Sequence, residues 1–196
     1  MDIARTRAGR VAAALRRART GSAMRRLAVE LDTALRARPT PPAGAHEVCR
    51  ALCEEMSARR DGRPIELRFE RFPDEIEVTG LCVEFHDFDL VIVEERAEAV
   101  QQLVILGHEL WHLNAGHRHG VGQAAARALA GGPDWKDALA VAARDGSRQT
   151  DEAEADDFGH RLAAAFRPYL SGHGGRASLN GMERSMGYRG RRGTER

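Results

Sequence analysis

The strongest constraint on the fold of this chain lies in residues 90–115. The run Leu-Val-Ile-Val at 90–93 is short, apolar and rich in β-branched residues, which is typical of a buried strand. Leucines then recur in steps of three or four over about residues 97–115, which predicts a helix that ends near Gly116. That helix contains the motif His-Glu-Leu-Trp-His at 108–112. The chain must therefore present two histidines on a helix that directly follows a strand.

The same spacing of leucines predicts a helix in the N-terminal quarter of the chain. Three leucines, Leu27, Leu31 and Leu35, predict an amphipathic helix over 23–37, which residues 1–22 either extend or precede as a disordered segment. Prolines break the chain at 39–44, and a second apolar stripe predicts a helix over about 45–59.

Residues 63–95 change to a period of two. Apolar residues alternate with polar ones around 65–69, 76–78 and 81–85, and the run at 90–93 follows a turn-like segment. We expect three or four strands, and we expect them to be antiparallel because the connections are too short to contain crossover helices.

The remaining segments complete the predicted organisation. Helices are expected at 121–130, 134–143 and 148–167, the last of them ending before Pro168. The chain then divides into an arginine-rich arm and linker at 1–44, a domain at 45–170 and a disordered Gly/Arg-rich tail at 171–196. This order predicts an α+β fold with a small antiparallel sheet packed on helices.

Composition limits the classes of partner. Thirty basic and 29 acidic side chains give a formal charge of +1, so bulk charge does not predict a polyanionic partner. Residues 1–38 carry ten arginines against three acids, which fits either a nucleic-acid or protein-binding tail or a solvated helix face. No stretch approaches the length of a membrane span and no secretory signal is recognisable, so we expect a cytoplasmic protein with no membrane partner. Three cysteines without a disulfide framework are expected in the core: Cys49, Cys53 and Cys82.

The histidine motif has a definite chemistry. His108 and His112 lie one helical turn apart, so both imidazoles can bind one ion, and zinc is the ion that this pair favours. Glu109 is placed to act on a zinc-activated water as a general base rather than to bind the metal.

A catalytic zinc usually needs a third protein ligand. His117 and His119 are close in sequence, but Ala115 and Arg118 do not fit the extended H-E-x-x-H-x-x-G-x-x-H pattern, and His117 would need a tight chain reversal to reach the ion. The acidic start of the last predicted helix is the better source of the ligand.

Two carboxylates of that helix are one turn apart. Glu152 can bind the metal while Asp156 accepts a hydrogen bond from a ligating imidazole. Glu154 is the less favoured alternative because it lies about 200° around the helix from Glu152. Acids in a first helical turn also suit the helix dipole without any metal.

Three segments together resemble the ImmA/IrrE metallopeptidases. They are Leu-Val-Ile-Val-Glu-Glu at 90–95, Gln-Leu-Val-Ile-Leu-Gly-His-Glu-Leu-Trp-His-Leu at 102–113 and Asp-Glu-Ala-Glu-Ala-Asp-Asp-Phe-Gly at 151–159. The resemblance covers roughly 45–167 and implies a zincin-like fold with Glu152 as third zinc ligand, the gluzincin arrangement. It is closer to the branch of the family described as the toxin component of toxin–antitoxin systems. The 39-residue spacer between His112 and Glu152 is longer than the family pattern, and the arginine-rich ends have no counterpart in it.

The sequence supports two hypotheses of function. The resemblance implies a regulatory zinc endopeptidase that cleaves one protein partner, such as a helix-turn-helix repressor or antitoxin. In that case an edge of the strand at 90–94 is expected to pair with an extended substrate, and His117, His119 and His160 are candidates for stabilising the oxyanion. The alternative is a toxin or regulator that binds a partner or DNA, with a structural or vestigial zinc site.

Overall fold

The computed structural model describes residues 2–74, 78–117 and 149–170, and for residues 2–11, 149 and 150 it describes the backbone alone. These parts of the chain contain four helices and one three-stranded sheet, an α+β arrangement as predicted. The helices predicted at 121–130 and 134–143 and the predicted tail at 171–196 lie outside the described residues.

Helices α1 (Asp2–Ala37) and α2 (Ala45–Arg59) match the predicted apolar stripes. Helix α1 begins at residue 2, so residues 2–22 extend the helix, which is one of the two alternatives that the sequence allows. The stripe of α1 joins the common core from residue 24 onward, whereas the side chains at 12–22 are exposed or half-buried. The buried side chains of these two helices include Met24, Leu27, Leu31, Leu35, Val48, Leu52 and Met56.

The sheet contains β1 (Ile65–Glu70), β2 (Gly80–Glu84) and β3 (Asp89–Glu94) in the order β1-β3-β2. Strands β2 and β3 are antiparallel, but β1 and β3 are parallel, so the prediction of an antiparallel sheet is wrong. The short-connection argument holds only for strands that are neighbours in the sheet. Strand β3 lies between β1 and β2, which leaves those two unpaired with each other.

Strand β3 is the central strand of the sheet. All six of its residues are buried, and both of its edges carry backbone ladders, one to β1 and one to β2. The expectation that an edge of 90–94 pairs with a substrate is therefore wrong, since β1 and β2 already occupy both edges of this strand. The apolar run at 90–93 indicates a strand covered on both faces.

Helix α3 (Ala99–Ala115) follows β3 after a short connection, which is held by hydrogen bonds to the Glu94 carboxylate. Glu94 accepts hydrogen bonds from the backbone N–H groups of Phe72 and Arg96, and the Arg96 guanidinium donates to the same carboxylate. These bonds hold the pKa of Glu94 at about 2, below its usual 4.5. The helix ends as predicted at Gly116, which has left-handed backbone angles.

Helix α4 (Gln149–Leu170) continues past the predicted stop. Pro168 lies inside its last turn, because Tyr169 beyond it is held in the core. The Tyr169 hydroxyl donates to Asp32 of α1 at 3.1 Å, and the Tyr169 carbonyl accepts from the Gly44 N–H at 3.4 Å. These tertiary contacts outweigh the hydrogen bond that proline removes.

The three cysteines are buried free thiols in the core, as predicted. Burial raises the pKa of the Cys49 thiol to about 12, which keeps it protonated and a poor metal ligand at neutral pH. No helix in the described part of the chain is long and apolar enough to cross a membrane.

Candidate metal centre

Three side chains from two helices converge on one point. His108 and His112 come from α3 and Glu152 comes from α4. The two Nε2 atoms are 3.0 Å apart, and Glu152 places Oε2 at 3.3 Å from His108 Nε2 and Oε1 at 3.4 Å from His112 Nε2. The structure thus brings together the three residues that the sequence proposes as metal ligands.

These distances fit a tetrahedral ion. Zinc binds imidazole nitrogen and carboxylate oxygen at about 2.0–2.1 Å, so two ligand atoms of a tetrahedral site lie about 3.3 Å apart. Glu152 Oε1 is also buried, and it accepts no hydrogen bond from the described residues. A cation would satisfy this oxygen, since a buried carboxylate oxygen without a partner is costly.

The close approach of α3 and α4 makes the convergence possible. At the contact Gly107 faces Gly159, and a Cβ built on Gly107 would lie 2.8 Å from the Gly159 Cα. A Cβ built on Gly159 would lie 2.5 Å from the Val104 carbonyl oxygen and 3.2 Å from the His108 nitrogen. Glycine at both positions lets the helix backbones touch one residue before His108. Sequence reasoning missed both glycines, although glycine inside a helix pattern is a known signal of close packing.

Each imidazole has a partner on the side away from the cluster. His108 Nδ1 donates to Asp156 Oδ1 at 2.9 Å, which is the hydrogen bond that the one-turn spacing from Glu152 predicted. A proton on Nδ1 leaves Nε2 with its lone pair directed at the cluster. Asp156 therefore fixes both the ring orientation and the tautomer that a metal ligand needs.

His112 has a second histidine as its partner. His117 Nδ1 lies 3.3 Å from His112 Nδ1, with the ring centroids 5.4 Å apart. The tight chain reversal that His117 requires is present, because Gly116 turns the chain with φ 70° and ψ 27°. His117 reaches the outer edge of the His112 ring rather than the cluster itself. His119 lies outside the described residues.

Glu109 is buried against the sheet, next to the cluster. Burial raises its pKa to about 8, and the nearby charge of Glu152 acts in the same direction. The carboxylate lies over the first residue of β2: a Cβ built on Gly80 would be 2.6 Å from Glu109 Oε1. Gly80 thus leaves room for this side chain, a role that the strand pattern alone did not indicate.

The cluster is closed on one side and open on the other. The His112 side chain is 1% exposed, whereas the Glu152 side chain is 38% exposed. His108 is intermediate at 20%. Among the described residues, the side of Glu152 and His108 is therefore the more accessible side of the cluster.

The other candidates lie outside the cluster. Glu154 is half-buried on α4 and contributes no atom to it, and His160 is exposed on the same helix. Trp111 and Phe158 are buried with their ring centroids 5.2 Å apart. Their contact adds apolar surface to the α3–α4 interface behind the histidines.

Comparison of the chain with protein-family models, with curated proteins and with solved structures gives no match. The arrangement of the described side chains is therefore the main basis for proposing a function.

Proposed function

We propose that this protein is a zinc-dependent endopeptidase with a zincin-like active site. The observation that carries the proposal is the convergence of His108, His112 and Glu152 within 3.0–3.4 Å, with the Glu109 carboxylate buried next to them. Two imidazoles and one carboxylate form a common ligand set of catalytic zinc sites, which leave a fourth position for solvent or substrate.

Zinc is the best fit among the common cations. Imidazole ligands disfavour magnesium and calcium, which take oxygen ligands, and the narrow spacing of the three atoms suits a tetrahedral ion. When bound, zinc would supply Lewis acidity that activates water and polarises the carbonyl group of the bond to be cleaved.

Glu109 is proposed as the general base. Its buried carboxylate accepts a proton from the attacking water and then delivers that proton to the leaving amine. Burial raises its pKa and makes the carboxylate a stronger base, and a zinc ion bound at the cluster would favour the ionised form at neutral pH. Gly80 leaves the space that the carboxylate occupies, because the side chain of a larger residue would fill it.

The outer edge of β2 is the proposed binding site for an extended peptide. Strand β2 pairs with β3 on one side only, and no strand among the described residues covers its other side. A Cβ built on its first residue, Gly80, would lie 2.6 Å from Glu109 Oε1, so this end of the strand is next to the carboxylate. A peptide that adds to this edge through backbone hydrogen bonds would run past the general base.

The resemblance to the ImmA/IrrE metallopeptidases adds a biological proposal. The three matching segments supply the central strand β3, the motif helix α3 and the acidic start of α4. In this proposal the enzyme acts in the cytoplasm on one protein, a helix-turn-helix regulator or antitoxin, and cleavage relieves repression.

A comparison of two strains of the encoding cell tests this function. One strain carries the natural chain and the other carries Glu109→Gln, which keeps the metal ligands. New protein N-termini identified by mass spectrometry are expected in the first strain only, and they should map to one regulator or a few. Identical sets of N-termini in both strains, with the natural chain expressed and loaded with zinc, would contradict the peptidase.

A further inference from the structure

We propose that His117 is a positioning residue that holds the His112 imidazole in the tautomer and orientation needed to bind metal. This inference rests on the proposed metal centre. It adds to that centre a residue that supports a ligand without binding the metal itself. The outer partner of His108, Asp156, and the carboxylate ligand Glu152 both come from α4. His117 instead comes from the segment that directly follows α3.

The turn after α3 aims His117 at His112. Gly116 adopts left-handed angles, and the N–H groups of Gly116 and His117 both donate to the His112 carbonyl, the second at 3.0 Å. These bonds attach the turn to the same residue whose ring His117 contacts. A residue with a Cβ at position 116 would strain this turn, since φ is 70°.

The ring contact has one protonation pattern that suits a metal. His112 must keep the lone pair on Nε2, so its proton is on Nδ1 and is donated to His117 Nδ1, 3.3 Å away. His117 then carries its own proton on Nε2, which lies 3.9 Å from Asp151 Oδ1. This distance is too long for a hydrogen bond, so the contact that orients His112 is the one between the two imidazole rings.

The two ligand imidazoles therefore differ in the charge of their outer partners. His108 donates to the carboxylate of Asp156, which is exposed, whereas His112 is almost fully buried and donates to a ring. A ring acceptor orients His112 without adding a further carboxylate to the two already close together there, the buried Glu109 and the ligand Glu152. His117 thereby sets ring geometry at the less accessible ligand.

Two substitutions at position 117, with side chains of similar size, distinguish hydrogen bonding to His112 from simple packing against it. Asn places a δ-atom acceptor close to the position of His Nδ1, while Leu fills the same space without an acceptor. We expect His117→Leu to weaken zinc binding by about 10–100-fold, as is typical when an outer partner of a ligand histidine is lost. His117→Asn should recover most of the affinity, and the control His160→Leu, on the exposed face of α4, should leave it unchanged.

The measurement is the zinc dissociation constant, obtained by competition with a chromophoric chelator on the full chain. The visible spectrum of the cobalt-loaded chain, which reports ligand geometry, is recorded alongside, and the thermal unfolding of the metal-free variants provides the control for folding. We predict weaker binding and an altered cobalt spectrum for Leu, and natural behaviour for Asn.

Three other results would overturn the inference at different levels. Equal zinc affinity in the natural chain and His117→Leu would overturn the positioning role while leaving the metal centre intact. Equal weakening by Asn and Leu would reduce His117 to a packing residue. Absence of stoichiometric zinc from the natural chain would overturn the metal centre itself, and the role of His117 with it.

Discussion

Glu109→Gln is expected to bind zinc as tightly as the natural chain and to cleave the substrate at least ~100-fold more slowly. The amide keeps the shape of the side chain in its place over Gly80 but cannot accept the proton of the attacking water. Zinc content and the rate of cleavage, measured on the same preparation with the regulator identified in cells, provide the two quantities. Because the ligands are untouched, the loss should appear in kcat.

A matched substitution separates this effect from a general loss of charge near α3. Glu98→Gln changes an exposed glutamate at the N-terminus of the same helix and should leave both zinc content and kcat within about twofold. Full activity of Glu109→Gln would exclude Glu109 as the base. Loss of zinc from that variant would instead place Glu109 among the groups that support metal binding.

Gly159→Ala is expected to destabilise the protein and weaken zinc binding together. Its Cβ would lie 2.5 Å from the Val104 carbonyl oxygen, so α3 and α4 must move apart. Overpacking of this kind costs about 1–3 kcal/mol even though alanine is the better helix former. The ligands are divided between these two helices, so the separation also lengthens the distances from Glu152 to the histidines.

Gly21→Ala is the control for helix propensity. Gly21 lies in α1, where an added Cβ meets only the end of the Arg25 side chain at 3.6 Å. This variant should gain about 0.5–1 kcal/mol, the opposite sign, in the free energy of unfolding measured with urea on the metal-free chain. A stabilised Gly159→Ala variant with natural zinc affinity would show that the two helices do not need to touch here.

Local pattern makes much of this architecture predictable. The apolar stripes predict α2 and α3 to within two residues. The one-turn spacing of Glu152 and Asp156 predicts a hydrogen bond from a ligating imidazole to Asp156, which the structure forms with His108. These features depend on residues three or four apart along one helix, for which periodicity is a direct physical constraint.

Contacts between distant segments are not predictable in the same way. Nothing near residues 65–70 specifies a parallel partner at 89–94, because strand order depends on which strand is inserted between two others. The contact of Gly107 with Gly159 likewise requires the packing of two helices that are far apart in sequence. The turn at Gly116 is visible in the sequence only as a helix stop, whereas its backbone angles determine where His117 lies.

The most direct test of the metal centre is the zinc content per chain, measured by elemental mass spectrometry after extensive dialysis, for the natural protein, Glu152→Gln and Glu154→Gln. The two variants change neighbouring glutamates of α4, only one of which contributes to the cluster. We predict about one zinc in the natural protein and in Glu154→Gln, and a clear loss in Glu152→Gln. Retention in Glu152→Gln with loss in Glu154→Gln would assign the third ligand to Glu154. No zinc in any of the three after reconstitution would contradict the metallopeptidase and favour a protein that acts by binding its partner.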